Sequence, residues 1–209
     1  MKFKKNMMFI ALATASATVM ASGFDGPFVQ GGIGFSEMRA KHQYQEPGHI
    51  ENDRVKKTNF LGQIAAGYSQ SFGTFNLAAS IYTVLGSQKA NTNDAFGWGE
   101  NIDFKGRRTV GLTIEPGVNI NPNSLVYAKL GVTQMRGRMD AEEAGIANKT
   151  HNGFSVGAGF KYKFTPNIYG LAEIMQTNFN RKTYFEYGGG SLGTKPKTLT
   201  GIVGIGYTF

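Results

Sequence analysis

Hydrophobic and polar residues alternate most strictly at the end of the chain, from Leu199 to Phe209. The side chains on one face are Leu199, Gly201, Val203, Ile205, Tyr207 and Phe209. Those on the other face are Thr200, Ile202, Gly204, Gly206 and Thr208. A period of two is typical of a β-strand whose faces lie in different environments. The pattern therefore predicts a final strand with one strongly apolar face.

The same alternation predicts seven earlier strands, separated by connections that are long and short in turn. These strands are Phe28–Arg39, Thr58–Ser69, Phe75–Leu85, Gly106–Ile120, Leu125–Gly137, Phe154–Phe164 and Ile168–Tyr184. The long connections are Ala40–Lys57, Gly86–Lys105, Arg138–Thr150 and a fourth that runs through Lys195. The short ones are Gln70–Thr74, Asn121–Ser124 and Thr165–Asn167, the last two of which have the Asn and Pro residues of tight turns.

Eight such strands favour an all-β fold, an eight-stranded antiparallel transmembrane up-and-down β-barrel. Each strand has an apolar face suited to lipid and an opposite face of small or polar residues, which a soluble β-sandwich would not explain. A closed barrel also leaves no strand edge unpaired in lipid. The rhythm of connections predicts four long extracellular loops and three short periplasmic turns.

The first 21 residues have the pattern of a cleaved signal peptide. Lys2, Lys4 and Lys5 precede the apolar run Met7–Met20, and small residues lead to Ala21. An anchoring helix is the alternative, but this run is short and rich in Ala and Thr. We therefore expect residues 22–209 to form one domain, the barrel, in the bacterial outer membrane.

The charge and cysteine content of the chain exclude some kinds of binding partner and of stabilisation. Without the predicted signal peptide, the chain carries 19 basic and 14 acidic residues, a modest excess that does not indicate nucleic-acid binding. The chain has no Cys, so disulfides do not stabilise it. No cofactor is expected from any motif.

Charged residues on the small-residue faces predict a filled lumen. A turn centred on Pro122 would place Glu115 across from Lys129, and one centred on Asn167 would place Lys161 across from Glu173. Since an eight-stranded barrel has just enough interior for side chains, two such ion pairs would plug it. The other polar residues predicted to point inward are Gln30, Gln63 and Lys163.

The chain resembles the small eight-stranded outer-membrane proteins of the OmpA, OmpX and opacity-protein group. The resemblance lies in the hairpin from Glu115 to Gly131 and in the terminal segment Val203–Phe209, where Tyr207 and Phe209 match the assembly signal of such barrels. It implies contact with the barrel-assembly machinery, and a surface role in membrane support, adhesion or host contact. The peptidoglycan-binding domain of some relatives is not expected here.

Basic and aromatic residues near the long loops are candidates for binding. The candidates for contact with lipopolysaccharide phosphates are Arg107, Arg108, Arg136, Arg138, Arg181 and Lys182. A solvated loop surface of mixed charge is the alternative. The candidate aromatic anchors for a host or environmental ligand are Phe96, Trp98, Tyr184, Phe185 and Tyr187, unless they belong to an interfacial girdle or fold back on the loops themselves.

Two other functions are less consistent with the residues. A narrow OmpW-like channel would need an apolar lumen, which the inward charges disfavour. A lipid A-modifying enzyme would need a histidine within hydrogen-bond reach of a nucleophile, but two pleats of one strand separate His151 from Ser155. His42 and His49 are weak metal candidates. We therefore expect a non-enzymatic barrel with a plugged lumen.

Overall fold

The computed structural model describes residues 24–46, 49–95, 100–141, 145–187 and 190–209, and these form ten strand segments. The segments are β1 (Gly26–Glu46), β2 (His49–Phe72), β3 (Phe75–Leu85), β4 (Gln88–Ala95), β5 (Glu100–Asn121), β6 (Ser124–Ala141), β7 (Gly145–Lys163), β8 (Ile168–Phe179), β9 (Lys182–Tyr187) and β10 (Gly190–Thr208). The predicted signal peptide lies outside the described residues.

Eight of these segments form a closed antiparallel ring in the order β1-β2-β3-β5-β6-β7-β8-β10. The last strand closes the ring by pairing with the first, from Phe28 opposite Thr208 to Gln45 opposite Ser191. The short segment β4 pairs with β5, and β9 pairs with β10. Both therefore extend the barrel wall at the end where the long connections lie. The predicted eight-stranded antiparallel barrel is confirmed, and the final strand closes it.

The strands extend far into the regions predicted as loops. Pairing of β1 with β2 continues without a break from Phe35 opposite Phe60 to Glu46 opposite His49. The prediction of a loop at Ala40–Lys57 was therefore wrong for most of its length. Above the lipid both faces of a strand can be polar, so the hydrophobic period disappears while the backbone ladder continues. The predicted seventh strand, conversely, is interrupted after Phe179.

A continuous apolar belt surrounds the barrel. On β7 the outward side chains are apolar from Phe154 to Phe164, about 33 Å along the strand, which corresponds to about 25 Å along the membrane normal at a usual strand tilt. Exposed aromatic residues mark its two borders. They are Phe35, Phe60 and Phe154 at the border nearer the long connections, and Tyr68, Phe72, Phe75, Tyr162, Phe164, Tyr207 and Phe209 at the border nearer the turns. No helix among the described residues is long and apolar enough to span a bilayer.

Inside the barrel, aromatic side chains lie on glycines of the neighbouring strand. A methyl group added at any of these glycines would collide with the ring opposite. The pairs are Phe28 with Gly67, Tyr82 with Gly111, Tyr127 with Gly159 and Tyr169 with Gly206. These pairs occur at every second strand interface around the barrel. The glycines allow the large aromatic side chains to lie flat against the inner wall.

Candidate functional site

A buried ionic layer crosses the lumen at the level of the membrane. The Nζ atom of Lys129 lies 3.2 Å from an oxygen of Glu115 and 2.9 Å from an oxygen of Glu173. The Nζ atom of Lys161 lies 3.4 Å from the other oxygen of Glu115. All four side chains are buried. Two cations and two anions thus form one connected chain, Lys161 to Glu115 to Lys129 to Glu173, with no net charge.

The predicted pair of Lys161 and Glu173 requires a correction. In the structure Lys161 is opposite Leu171, and Glu173 is opposite Gly159. The turn is centred on Pro166 rather than on Asn167, because the amide nitrogens of Phe164 and Thr165 both donate to the carbonyl oxygen of Ile168. The two charges therefore find partners on other strands, whereas Glu115 and Lys129 contact each other as the sequence predicts.

Neutral donors satisfy the remaining carboxylate oxygens. Glu173 accepts hydrogen bonds from the side chains of Gln30, Gln63 and Tyr127. Glu115 accepts from the hydroxyl groups of two residues, Ser80 at 2.9 Å and Thr113 at 3.1 Å. Charges removed from water need such partners. The hydroxyl and amide groups on the small-residue faces therefore hold the ionic layer in one arrangement.

Lys161 sits in a cage of aromatic rings as well as beside Glu115. Its Nζ atom lies 4.6 Å from the ring centre of Phe28, 4.8 Å from that of Tyr127 and 5.4 Å from that of Tyr169. Cation–π attraction is strongest where the cation is desolvated. Sequence reasoning missed these rings as partners of the charge. The sequence did contain a signal for these rings, because each of them lies opposite a glycine on the neighbouring strand.

Buried apolar side chains lie in the lumen on either side of the charges. Nearer the long connections the buried cluster consists of Met38, Ala40, Ala90, Phe104, Met135, Met139, Phe179, Tyr184 and Leu192. Nearer the turns, Phe24 is buried and packs edge-to-face on Tyr169, with their ring centres 6.0 Å apart.

Two histidines lie among these inward side chains, beyond the apolar belt. The Nδ1 atom of His42 lies 2.8 Å from Thr194 Oγ1, and burial lowers the pKa of His42 to about 4, although Asp53 opposes this shift. His151 is fixed by Asn180 O at Nδ1 and by Tyr184 Oη at Nε2. Burial also lowers the pKa of His151. Both rings are therefore neutral parts of the interior at neutral pH.

From the lowered pKa of His42 we predict that the part of the barrel outside the membrane loses stability in acid. Its pKa is lower in the folded state than the ordinary value of about 6.5, so the unfolded state takes up a proton first as pH falls. Stability is then lost from about pH 6.5 downward, by about 2 kcal/mol at pH 5. Hydrogen exchange of β1 and β2 should accelerate over this range, and His42→Gln should flatten the dependence. An unchanged pH profile in His42→Gln would contradict the assignment.

The candidate lipopolysaccharide contacts form two groups rather than one ring. Arg107 lies opposite Arg136, and Lys105 opposite Arg138, on the outer face of β5 and β6. Arg108 has a positive φ of 48° at a bulge, which leaves both it and Arg107 exposed. Arg138 also contacts Asp140 at 3.5 Å. Arg181, which is exposed, and Lys182, which is half-buried, lie between β8 and β10 on another side of the barrel.

The candidate aromatic anchors are only partly placed by the structure. Tyr184 is buried rather than exposed, because its ring stacks on His151 with the ring centres 5.8 Å apart. Phe185 packs against the same apolar cluster. Tyr184 is therefore not a surface anchor, and it follows the alternative in which such aromatics fold back onto the protein. Phe96, Trp98 and the side chain of Tyr187 lie outside the described residues.

The terminal aromatics lie on the lipid-facing surface at the border nearer the turns. The rings of Tyr207 and Phe209 meet edge-to-face, with centres 5.0 Å apart. The amide nitrogen of Phe209 donates to the carbonyl oxygen of Pro27, which ties the last residue to the start of β1. In the described part of the chain, no group of three or more His, Asp or Glu residues could hold a metal ion.

Fold and lumen together define an eight-stranded transmembrane barrel whose interior is packed with side chains. Residues 7–209 match the family model for the outer membrane protein beta-barrel domain, and the chain belongs to this family. Its place is thus the bacterial outer membrane. No curated protein matches the chain.

Solved outer-membrane proteins are similar to this chain at low sequence identity. OprG from Pseudomonas aeruginosa is 11% identical, with a TM-score of 0.55 over 90% of this chain and 98% of that one. The outer membrane protease OmpT from Escherichia coli is 13% identical, with a TM-score of 0.52 over 92% and 99%. Ail, the attachment invasion locus protein of Yersinia pestis, is 17% identical, with a TM-score of 0.41 over 86% and 99%.

Proposed function

We propose that this protein is a plugged barrel that acts through the surface it presents outside the cell, with a structural and surface-interaction role. The observation that carries the proposal is the connected ionic layer of Lys161, Glu115, Lys129 and Glu173, closed above and below by apolar side chains. The long connections face outward and the short turns face the periplasm, as is usual for such barrels. Residues 1–21 direct export and are removed.

The extended strands support a surface role. Beyond Phe35, β1 continues for eleven residues to Glu46, about 36 Å along the strand. This projecting wall carries polar side chains outward and an apolar cluster inward. It offers adhesive or host partners a rigid polar surface. Arg107, Arg108 and Arg136 lie at the border of the belt, where lipopolysaccharide phosphates are within reach.

Electrical recordings test the plugged lumen. We expect the protein refolded in a planar bilayer to be electrically silent, with an open porin in the same bilayer as the positive control. The double variant Phe104→Ala with Met135→Ala, which truncates the apolar cluster nearer the long connections, should also be electrically silent, because the ionic layer still seals the lumen. Reproducible conductance steps from the unchanged protein would overturn this proposal and favour the narrow channel.

The same proposal assigns no catalytic role to the histidines. Both ring nitrogens of His151 have partners, and Ser155 Oγ is bonded to Thr133 and Thr177 at 2.6 and 2.8 Å. Neither residue is placed to activate the other. The mass spectrum of lipid A should be identical with and without expression of the protein, and a modified lipid A species would contradict this.

A further inference from the structure

Beyond the apolar belt the closed ring divides into two sheets of four strands each. The strand β3 ends at Leu85, and in the described part of the chain its continuation β4 pairs only with β5. The strand β8 ends at Phe179, and over the residues that the structure describes its continuation β9 pairs only with β10. One sheet therefore consists of β9, β10, β1 and β2, and the other of β4, β5, β6 and β7. We call them the β1 sheet and the β6 sheet.

Side chains link the two sheets along both of their edges. Between β2 and β4, the side-chain amide of Asn59 accepts from the backbone nitrogen of Lys89 at 3.0 Å and donates to its carbonyl oxygen at 3.0 Å. Between β7 and β9, Nε2 of His151 lies 2.8 Å from the hydroxyl oxygen of Tyr184, and the two rings stack with their centres 5.8 Å apart. Only the second of these two links contains a group that titrates near neutral pH.

The hydrogen bonds of His151 define its protonation state when the two sheets are joined. Its Nδ1 atom donates to the carbonyl oxygen of Asn180, 2.9 Å away, because a carbonyl oxygen can only accept. The Nε2 atom of the neutral ring is therefore the acceptor for the hydroxyl group of Tyr184. A further proton can bind only at Nε2, where it ends the hydrogen bond that Tyr184 donates.

The surroundings of His151 disfavour a charged ring. The side chain is fully buried, the ring of Phe104 meets it edge-to-face with the centres 5.9 Å apart, and Met135 lies opposite it on β6. The charged groups near it in the described part of the chain are cations, Lys182 on β9 and Lys149 on the same face of β7. Burial lowers the pKa of His151 and Lys182 adds to this, although the backbone hydrogen bond at Nδ1 opposes it.

We propose that His151 and Tyr184 form an acid-sensitive latch, which joins the β6 sheet to the β1 sheet at neutral pH and releases β7 from β9 when His151 is protonated. The link through Asn59 on the other edge has no group that titrates in this range, so it stays closed and acts as the hinge. Opening exposes the buried apolar cluster between the sheets, which includes Met38 and Met135, to water.

Proton linkage gives the direction of the pH dependence. With the latch open, the imidazole is in water and has its ordinary pKa of about 6.5, whereas burial lowers the pKa of His151 when the latch is closed. The open state therefore takes up a proton first as the pH falls. Opening becomes more favourable below about pH 6.5, and the closed state is fully favoured only above it.

Hydrogen exchange measured by mass spectrometry at about pH 7.5 and about pH 5 tests the latch. The protein is His42→Gln refolded in detergent, which lacks the titration assigned above to β1 and β2, and each rate is corrected for the intrinsic pH dependence of amide exchange. At the lower pH, protection of residues 145–150 and 182–187 should fall at least about fivefold, whereas protection of β4 should change less than about twofold. In His42→Gln with His151→Phe, which keeps a ring but cannot be protonated, the fall should disappear.

Equal protection at the two pH values, an equal fall in β4, or a fall that persists after His151→Phe would overturn the inference. A nuclear magnetic resonance titration of the histidine rings gives a second test without any change at His151. Its ring should take up a proton over the same pH range in which β7 and β9 lose protection, and protonation without that loss would also contradict the latch. Conductance at both pH values reports separately on the plugged barrel, because the ionic layer lies on the far side of the apolar cluster.

Discussion

Lys129→Met is expected to lower the free energy of unfolding by about 3–5 kcal/mol, because it leaves the buried carboxylates of Glu115 and Glu173 with one cation between them. Lys129 is the link between the two acids, so its loss leaves the ionic layer with a net negative charge. Methionine fills a similar volume, which limits the effect of a cavity. Urea unfolding in detergent micelles, followed by the mobility shift of the folded barrel on gels, measures the loss.

A double variant distinguishes charge imbalance from lost packing. Lys129→Met with Glu173→Gln restores a neutral ionic layer, since Lys161 still pairs with Glu115 and the glutamine can still meet Tyr127, Gln30 and Gln63. We expect it to recover more than half of the stability lost in Lys129→Met. Additive losses in the two changes would show that the carboxylates are not coupled through Lys129.

The sequence was sufficient to predict the barrel because the lipid imposes one strict rule on every strand. Outward side chains must be apolar across the belt, so the period of two survives in all eight ring strands, and closure follows from the need to pair every edge. The same rule explains where prediction failed. Beyond Phe35 and Phe60 the rule no longer applies. The strands stay paired as far as Glu46 and His49, but the sequence there has no hydrophobic alternation that would predict it.

The sequence predicted the ion-pair partners of the candidate site only where it also predicted the centre of the turn correctly. Glu115 and Lys129 flank a turn whose Asn and Pro residues defined the register, and the two side chains contact each other. Around Pro166 a shift of the turn centre by one residue displaced the expected partner of Lys161 by two positions. The links from Lys129 to Glu173 and from Lys161 to Glu115 join non-neighbouring strands across the lumen, which no hairpin pattern contains.

Buried and exposed polar groups have different consequences in this barrel. Within the lumen, each carboxylate of the ionic layer has several donors, so these charges are held in one arrangement. On the outer wall beyond the belt, Arg39 lies opposite Lys197 on one side and Lys56 on the other, so like charges face each other there. The satisfied network of the lumen stabilises the fold, whereas the charges of the outer wall face the surroundings of the barrel.

Gly34→Ala is expected to prevent normal closure of the barrel, with a loss beyond the roughly 3 kcal/mol that is usual for overpacking. Gly34 faces inward on β1, and a methyl group there would collide with the backbone carbonyl of Gly201 on β10. Backbone atoms at the closing seam cannot move aside as a flexible side chain can. The folded fraction after refolding into detergent, measured by the gel mobility shift, should fall sharply.

Gly201 provides the matched control on the same seam. It is exposed on the outer face, opposite Phe35, and a methyl group there would meet no atom within 4 Å. Gly201→Ala should therefore change the unfolding free energy by less than about 1 kcal/mol, and upward, since alanine restricts the unfolded chain more than glycine. Equal losses in both variants would show that the seam tolerates no methyl group on either face. A loss confined to Gly34→Ala would establish that the close approach of the β1 and β10 backbones at Gly34 limits closure.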